Sequence, residues 1–227
     1  ESQLEIDSSS DYALIIGNSH AQDLVYALRQ NSFAGNIKFI STPFYCFNFG
    51  VGTDPADDKI CNATRKQLLA SELLQEASKI YLHEDFNGEW IKDLFIFFES
   101  LRNATKAPIY LFGPRLTFKR SVLQIAHEHG SIEGLTKYAL TQSFLPERKK
   151  LNQKLEHAFK EARLSEAGIF YIDMLRIQCG ENYDLCSIVS PQASEFLYFD
   201  NSHFTTLGAR NFGALLKTRR PDIFQLQ

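Results

Sequence analysis

Short apolar segments alternate with amphipathic segments along most of the chain. Five runs have the length and the Ile, Leu, Phe and Tyr content of strands, at residues 12–16, 37–41, 79–83, 109–112 and 169–172. Apolar residues at helical spacing predict helices at residues 21–30, 63–77, 90–103 and 146–164, with a last helix ending near residue 218. Because strands alternate with helices, the pattern predicts an α/β fold. Its central sheet is mostly parallel, has about five strands and is covered by helices on both faces.

Three segments do not follow this alternation. Residues 42–62 show no period and predict a long loop, which in a compact domain is usually functional or held by a covalent bridge. The pattern is also weak over residues 115–145. Residues 1–10 end in three serines and read as a linker or N-terminal extension, so we expect a single domain over residues 11–227.

Bulk properties narrow the class of protein. The chain has 227 residues, which suits one α/β domain with a sizeable core. Its 24 basic and 27 acidic residues give a net charge of −3 without the clustering typical of nucleic-acid binding. The longest fully apolar run, residues 94–98, is too short to cross a membrane. Residues 1–10 do not have the pattern of a signal peptide, so we expect a mature form or an excised domain.

The first predicted strand leads into a turn that carries a serine. Gly17, Asn18, Ser19 and His20 follow the apolar run and precede the first helix. In an open α/β sheet, ligands bind beyond the carboxyl ends of the strands, so a hydroxyl in this turn faces the expected crevice. Ser19 can be a nucleophile beside the unpaired N–H groups of the helix start, or it can simply cap that helix.

A second polar segment lies near the other end of the chain. Asp200 and His203 are three residues apart, just before the last predicted helix. This spacing lets one turn hold both side chains, so that the carboxylate can orient the imidazole. Asp173, at the end of the fifth predicted strand, is a rival acid, but a structural role at the strand end is the preferred interpretation.

These two segments resemble the first and last motif blocks of the SGNH (GDSL-like) hydrolase superfamily. More specifically, the chain resembles the SGNH domain that follows the membrane domain of acyltransferase-three-family proteins. Shared features are Ser-His-Ala after the first strand, a cysteine-bounded loop after the second, Gly113-Pro114 after the fourth, a late cysteine pair, and Tyr-x-Asp-x-x-His before Leu-Gly-Ala. The resemblance implies a flavodoxin-like three-layer sandwich and a catalytic triad of Ser19, His203 and Asp200.

The resemblance also implies an oxyanion hole. Its donors would be the backbone N–H of Ser19, the side-chain amide of Asn87 and a second-block glycine, either Gly50 or Gly52. An Asn-Gly turn that only starts the next helix is an equal alternative for Asn87. The chain departs from the family at Asn18, where the pattern has Asp, so that an amide replaces a carboxylate beside the nucleophile.

The four cysteines are compatible with two disulfides. Their spacing suggests pairing Cys46 with Cys61 around the long loop and Cys179 with Cys186 around a short polar one. Such bridges would place the domain in an oxidising compartment, the periplasm or the cell exterior. The alternative is four reduced, buried cysteines. Zinc is disfavoured because no Cys-x-x-Cys motif or nearby histidine pair accompanies them.

The expected function is O-acyl transfer to, or ester hydrolysis on, a cell-surface polysaccharide such as a lipopolysaccharide O-antigen. The acyl group is expected to be acetyl, and the domain is expected to work with or be fused to a membrane acyltransferase domain. No cofactor, metal or nucleic acid is expected. The alternative is a catalytically weak module of the same fold that binds glycan or a partner protein. The sequence leaves open the donor, the acceptor sugar and the oligomeric state.

Other patterns carry less weight. Glu84 and Asp85 could act as an acid/base pair on glycosides, but neighbouring side chains often diverge. His127 and His129 suggest a metal fragment, but their spacing puts them on different faces of a helix, which favours two exposed histidines. The aromatic residues at positions 44–49 could stack on sugars or belong to the core.

Overall fold

A computed structural model describes residues 11–43, 55–84, 91–190 and 194–226 of the chain. The strands are β1 (Tyr12–Gly17), β2 (Asn36–Ser41), β3 (Lys79–His83), β4 (Ile109–Phe112) and β5 (Ile169–Ile172). The α-helices are α1 (Ser19–Gln30), α2 (Pro55–Leu69), α3 (Glu72–Glu76), α4 (Ile91–Ala104), α5 (Val122–His129), α6 (Leu135–Gln142), α7 (Pro146–Glu161), α8 (Met174–Cys179) and α9 (Thr206–Arg219). Two short 3₁₀ helices are formed by Leu164–Ala167 and Pro221–Phe224.

The five strands form one parallel sheet in the order β2-β1-β3-β4-β5. This confirms the predicted α/β class and the parallel sheet. The order reverses between β1 and β3, because β2 lies on one side of β1 while β3 and the later strands lie on the other. In open sheets such a reversal opens a crevice at the carboxyl ends of the two strands. The turn that follows β1 therefore lies where a ligand crevice is expected.

The helix boundaries differ from the prediction in three regions. Helix α2 begins at Pro55, so the expected loop over 42–62 is wrong from that residue onward. The predicted helix over 63–77 is two helices, because Ser71 caps α3 by accepting a hydrogen bond from the backbone of Leu73. The segment with a weak pattern holds α5 and α6, and α5 begins with a capping box formed by Ser121 and Gln124.

Helices cover both faces of the sheet and divide the core into two clusters. On β1, Ala13 and Ile15 face the cluster beneath α1, α5, α6, α8 and α9. Leu14 and Ile16 face the cluster beneath α2, α3, α4 and α7. The alternation follows from the two-residue period of a strand that is buried on both sides.

Helix α9 packs closely against α1, and a glycine permits the approach. A Cβ built at Gly213 would lie 2.4 Å from the carbonyl oxygen of Ala27, so only a residue without a side chain fits there. The contact brings the start of α9, near the end of the chain, beside the start of α1.

Candidate active site

The turn between β1 and α1 places a serine at the carboxyl edge of the sheet. Asn18 is the N-cap of α1, and its side-chain oxygen accepts a hydrogen bond from the backbone N–H of His20 at 2.9 Å. Ser19 is therefore not the cap, and its hydroxyl is available for other contacts. Gly17 has a φ of +152°, and a Cβ there would lie 1.9 Å from the carbonyl oxygen of His83. Only a glycine therefore lets the end of β1 lie this close to the backbone of β3 at His83.

Ser19, His203 and Asp200 form a continuous chain of hydrogen bonds. The Ser19 Oγ lies 2.8 Å from His203 Nε2. On the other side of the ring, His203 Nδ1 lies 2.6 Å from Asp200 Oδ2. Because an ionised carboxylate only accepts, the neutral ring carries its proton on Nδ1, and Nε2 can accept the proton of the serine hydroxyl. The structure thus brings together the three residues that the resemblance implies.

The carboxylate of Asp200 is stabilised in its ionised form. Its second oxygen, Oδ1, accepts hydrogen bonds from the backbone N–H groups of Ser202 and His203 at 2.8 and 2.7 Å. Burial alone would raise the pKa of Asp200, but these N–H groups and the His203 ring lower it below its ordinary value. The carboxylate is therefore charged at neutral pH and can stabilise a positive charge on His203.

Neighbouring rings fix the orientation of His203. Phe199 stacks on it at a centroid distance of 5.6 Å and an interplanar angle of 20°. His20 meets it edge-on at a centroid distance of 5.1 Å. His20 also reaches the Asp200–His203 turn, because its Nε2 lies 3.3 Å from Ser202 Oγ.

The histidines behind His203 are neutral. Burial, with a smaller effect of the nearby Arg115, lowers the pKa of His20 well below its ordinary value. The same causes lower the pKa of His83 to about 3. The ring of His83 is fully buried and donates from Nδ1 to the carbonyl oxygen of Phe112 at 3.2 Å. An imidazolium at His203 would therefore have no cationic histidine beside it.

A buried ion pair anchors the backbone next to His203. Asp23 lies one helical turn after Ser19, and its Oδ2 accepts a hydrogen bond from the backbone N–H of Phe204 at 3.0 Å. The same oxygen lies 2.7 Å from Nη1 of Arg115, whose side chain is only 1% exposed. The Arg115 guanidinium also lies 4.9 Å from the centre of the Phe204 ring. This pair was not predicted from the sequence, although an aspartate in the apolar stripe of α1 is a signal for a buried partner.

Several predicted site residues lie outside the described residues. These are Asn87, Gly50, Gly52, Asp85, Cys46 and the aromatic residues of 44–49. Glu84 is described: it is buried and accepts a hydrogen bond from the hydroxyl of Thr42.

Two weaker candidates have structural roles. Asp173 caps α8 through the backbone N–H of Arg176 at 2.7 Å and accepts a hydrogen bond from the hydroxyl of Tyr183 at 2.9 Å. His129 bonds the carbonyl oxygen of Ser131 at 2.8 Å, and His127 is exposed. Within the described part of the chain, no cluster of three or more metal-ligating residues is present.

The late cysteine pair forms a disulfide between Cys179 and Cys186. Cys61 is also disulfide-bonded, and its predicted partner, Cys46, lies outside the described residues. The alternative of reduced cysteines is therefore wrong for the three that are described. In the same part of the chain, no helix has both the length and the apolar character needed to cross a membrane.

Comparison with known proteins identifies the family. The family model of the SGNH domain fused to AT3 domains matches residues 3–218. The chain belongs to this SGNH family. The match confirms the resemblance carried by the serine turn and the Asp-x-x-His segment.

A solved structure shares the fold of this SGNH domain. It is the periplasmic domain of the lipopolysaccharide acetyltransferase of Salmonella ser. Paratyphi A, with a TM-score of 0.67 and 16% sequence identity. The alignment covers 94% of this chain and 85% of the other. A comparison with curated protein sequences gives no match.

Proposed function

We propose that this SGNH domain is an extracytoplasmic serine enzyme. It would transfer an O-acyl group, expected to be acetyl, to a cell-surface polysaccharide or hydrolyse such an ester on it. The observation that carries the proposal is the hydrogen-bonded series Ser19–His203–Asp200 at the open edge of the sheet. The family supports it, because its SGNH domains are fused to AT3 domains. So does the similar fold of a lipopolysaccharide acetyltransferase periplasmic domain. The Cys179–Cys186 disulfide fits an oxidising compartment.

The proposed reaction proceeds through an acyl-enzyme. His203 Nε2 takes the proton of Ser19 as the hydroxyl oxygen attacks the acyl carbonyl carbon. The tetrahedral intermediate collapses when the C–O bond to the leaving group breaks, and the His203 imidazolium returns the proton to that oxygen. A sugar hydroxyl or water then attacks the acyl-serine while His203 takes its proton. The bond between the acyl carbon and Ser19 Oγ breaks, and His203 returns the proton to Oγ, which regenerates the free serine. Asp200 keeps the ring in the required tautomer and stabilises the imidazolium.

The developing oxyanion would be stabilised at the start of α1. Ser19 is the first residue of that helix, so its backbone N–H belongs to the N-terminal groups that have no acceptor within the helix. One such donor aimed at the oxyanion is worth about 3 kcal/mol. Asn87 and either Gly50 or Gly52 remain predicted as further donors. A fused or associated membrane acyltransferase domain is the proposed source of the acyl group.

A fluorophosphonate reagent tests the nucleophile without knowledge of the substrate. We expect intact mass to show one adduct on the wild-type protein, none on Ser19→Ala, and labelling slowed by about two orders of magnitude or more on His203→Ala. Circular dichroism and a thermal unfolding curve establish that each variant is folded.

The same experiment separates the enzyme from a binding module. Absence of an adduct on folded wild-type protein would contradict the proposed chemistry and favour the second candidate, a glycan- or partner-binding domain. An adduct that persists in Ser19→Ala would mean that the reactive residue has been misassigned.

A further inference from the structure

A groove leads away from the Ser19–His203 pair along one face of α1. Ser19, Gln22, Tyr26 and Gln30 are spaced three or four residues apart, so they form one stripe on the helix. The stripe extends about 16 Å, since each helical residue adds about 1.5 Å. The opposite wall is formed by Phe199 and the residues that lead into α9. The groove encloses about 730 Å³, a volume in the range of ligand sites.

Four side chains along this groove are exposed to solvent. Tyr26 is 50% exposed and Phe199 is 55% exposed, although both are large aromatic residues. The side-chain amides of Gln22 and Gln30 are exposed and form no hydrogen bond within the described residues. Two aromatic rings and two free amides therefore line a path that begins at the proposed nucleophile.

The charge of the groove selects among ligand classes. Its lining includes no lysine or arginine among the described residues. Its carboxylates belong to Asp23 and Asp200, which are paired with Arg115 and His203. A phosphate or uronic acid would find no cationic partner here and would lie near two carboxylates. The chemistry of the lining therefore fits an uncharged ligand.

A neutral pyranoside matches this lining. A sugar ring has an apolar face of C–H groups, which packs well on the face of an aromatic ring. Its hydroxyls both donate and accept hydrogen bonds, as a glutamine amide does. A lipid chain would leave the two amides unsatisfied. An extended neutral glycan would satisfy both the rings and the amides along the length of the groove.

We propose that the groove binds a neutral stretch of the glycan whose hydroxyl or ester is presented to Ser19. Tyr26 would stack on a sugar ring, and Gln22 and Gln30 would hydrogen-bond to hydroxyls on either side of it. The inference rests on the proposed function, because it takes the ligand to be the substrate of the Ser19–His203 pair.

A glycan array tests the inference without knowledge of the natural substrate. The Ser19→Ala protein is applied to arrays of neutral oligosaccharides and of oligosaccharides that carry uronic acid or phosphate. We expect binding to neutral glycans and weaker or no binding to the acidic ones. Adding Tyr26→Ala should weaken binding to the neutral glycans by about tenfold or more, a loss typical of an aromatic contact. Gln30→Ala, at an exposed position, is a milder second variant and should also weaken it.

Phe39 provides the matched control. It is an aromatic residue on strand β2 that is 38% exposed and does not line the groove. Adding Phe39→Ala to the Ser19→Ala protein should leave glycan binding unchanged. Circular dichroism on each variant separates loss of binding from loss of fold.

Three outcomes overturn the inference: no glycan binding at all, a preference for acidic glycans, or binding that Tyr26→Ala and Gln30→Ala leave unchanged. Fluorophosphonate labelling of the wild-type protein is measured in parallel. If Ser19 is labelled while any of these outcomes is found, the assignment of the groove fails and the proposed acyl chemistry stands. If Ser19 is not labelled, it is the proposed chemistry that fails.

Discussion

Replacing Asp23 by asparagine tests whether a buried ion pair holds the backbone that carries His203. The Oδ2 atom of Asp23 accepts hydrogen bonds from the guanidinium of Arg115 and from the backbone N–H of Phe204. The asparagine oxygen can still accept from Phe204, so the substitution removes the negative charge and keeps the neutral hydrogen bond. Arg115, with its side chain 1% exposed, would then be a buried cation without a counter-charge.

The expected cost follows from that burial. Removing one partner of a buried ion pair destabilises a protein by about 3–5 kcal/mol, because the remaining charge stays desolvated. Asp23→Asn should lower the free energy of unfolding by about this amount, which is a large part of the roughly 5–15 kcal/mol of an ordinary domain. Arg115→Met should also destabilise, because it leaves the Asp23 carboxylate with only the Phe204 N–H. The double variant buries no unpaired charge and should lose less than the two single variants together, by about 2 kcal/mol.

Urea denaturation of the wild type, both single variants and the double variant measures this coupling. The midpoints give the change in stability only where the slopes are equal, so the slopes are compared first. If each single variant cost less than about 1 kcal/mol, or if the two costs simply added in the double variant, Asp23 and Arg115 would not stabilise the fold as a pair.

Two further predictions concern the turn after β1 and the buried histidine after β3. Asn18→Asp should keep the cap on His20 and preserve or raise the rate of fluorophosphonate labelling, because a negative charge is favourable at a helix start; Asn18→Ala should instead lose about 1 kcal/mol of stability. A large loss of labelling in Asn18→Asp would show that the turn has been misinterpreted. Burial lowers the pKa of His83 to about 3 in the folded protein. Below about pH 6.5 this histidine is therefore protonated in the unfolded chain but still neutral in the folded one. The free energy of unfolding should consequently fall as the pH drops from about 6.5 toward 3. His83→Asn retains a donor for Phe112 and should reduce this fall, as measured by urea denaturation at about pH 7 and about pH 4; equal falls in both proteins would contradict the assignment.

The central strands β1, β3 and β4 could be predicted from the sequence because they are buried on both faces. Continuous apolar runs such as Tyr12–Gly17 and Ile109–Phe112 have the length and composition of strands, and they stand apart from the amphipathic helices. The order of the strands is a property of long-range packing, and the runs themselves do not encode it. Helix α2 begins among polar residues, and the Ser71 cap depends on local hydrogen bonds, so both escaped a search for periodic apolar positions.

Only the site residues that belong to sequence motifs could be predicted. Ser19 and the Asp200–His203 segment stand out because their residue types and spacing suit acyl transfer. The Asp23–Arg115 pair could not be recognised in this way, because its partners are 92 residues apart and neither belongs to a motif. The groove beside α1 depends on how α9 packs, so Tyr26 and Gln30 look like ordinary surface residues in the sequence.

The distance along the chain between Ser19 and His203 has a consequence for folding. The two residues are 184 positions apart, and all five strands lie between them or directly before Ser19. A chain whose sheet is complete but whose last helix is undocked would have every strand in place but would lack the Ser19–His203 contact. Because closing a contact between residues so far apart in sequence is entropically costly, we expect labelling of Ser19 to appear only once α9 has docked. Time-resolved fluorophosphonate labelling during refolding would therefore measure the fraction of fully folded molecules. Intermediates that have native secondary structure but an undocked α9 would not be labelled.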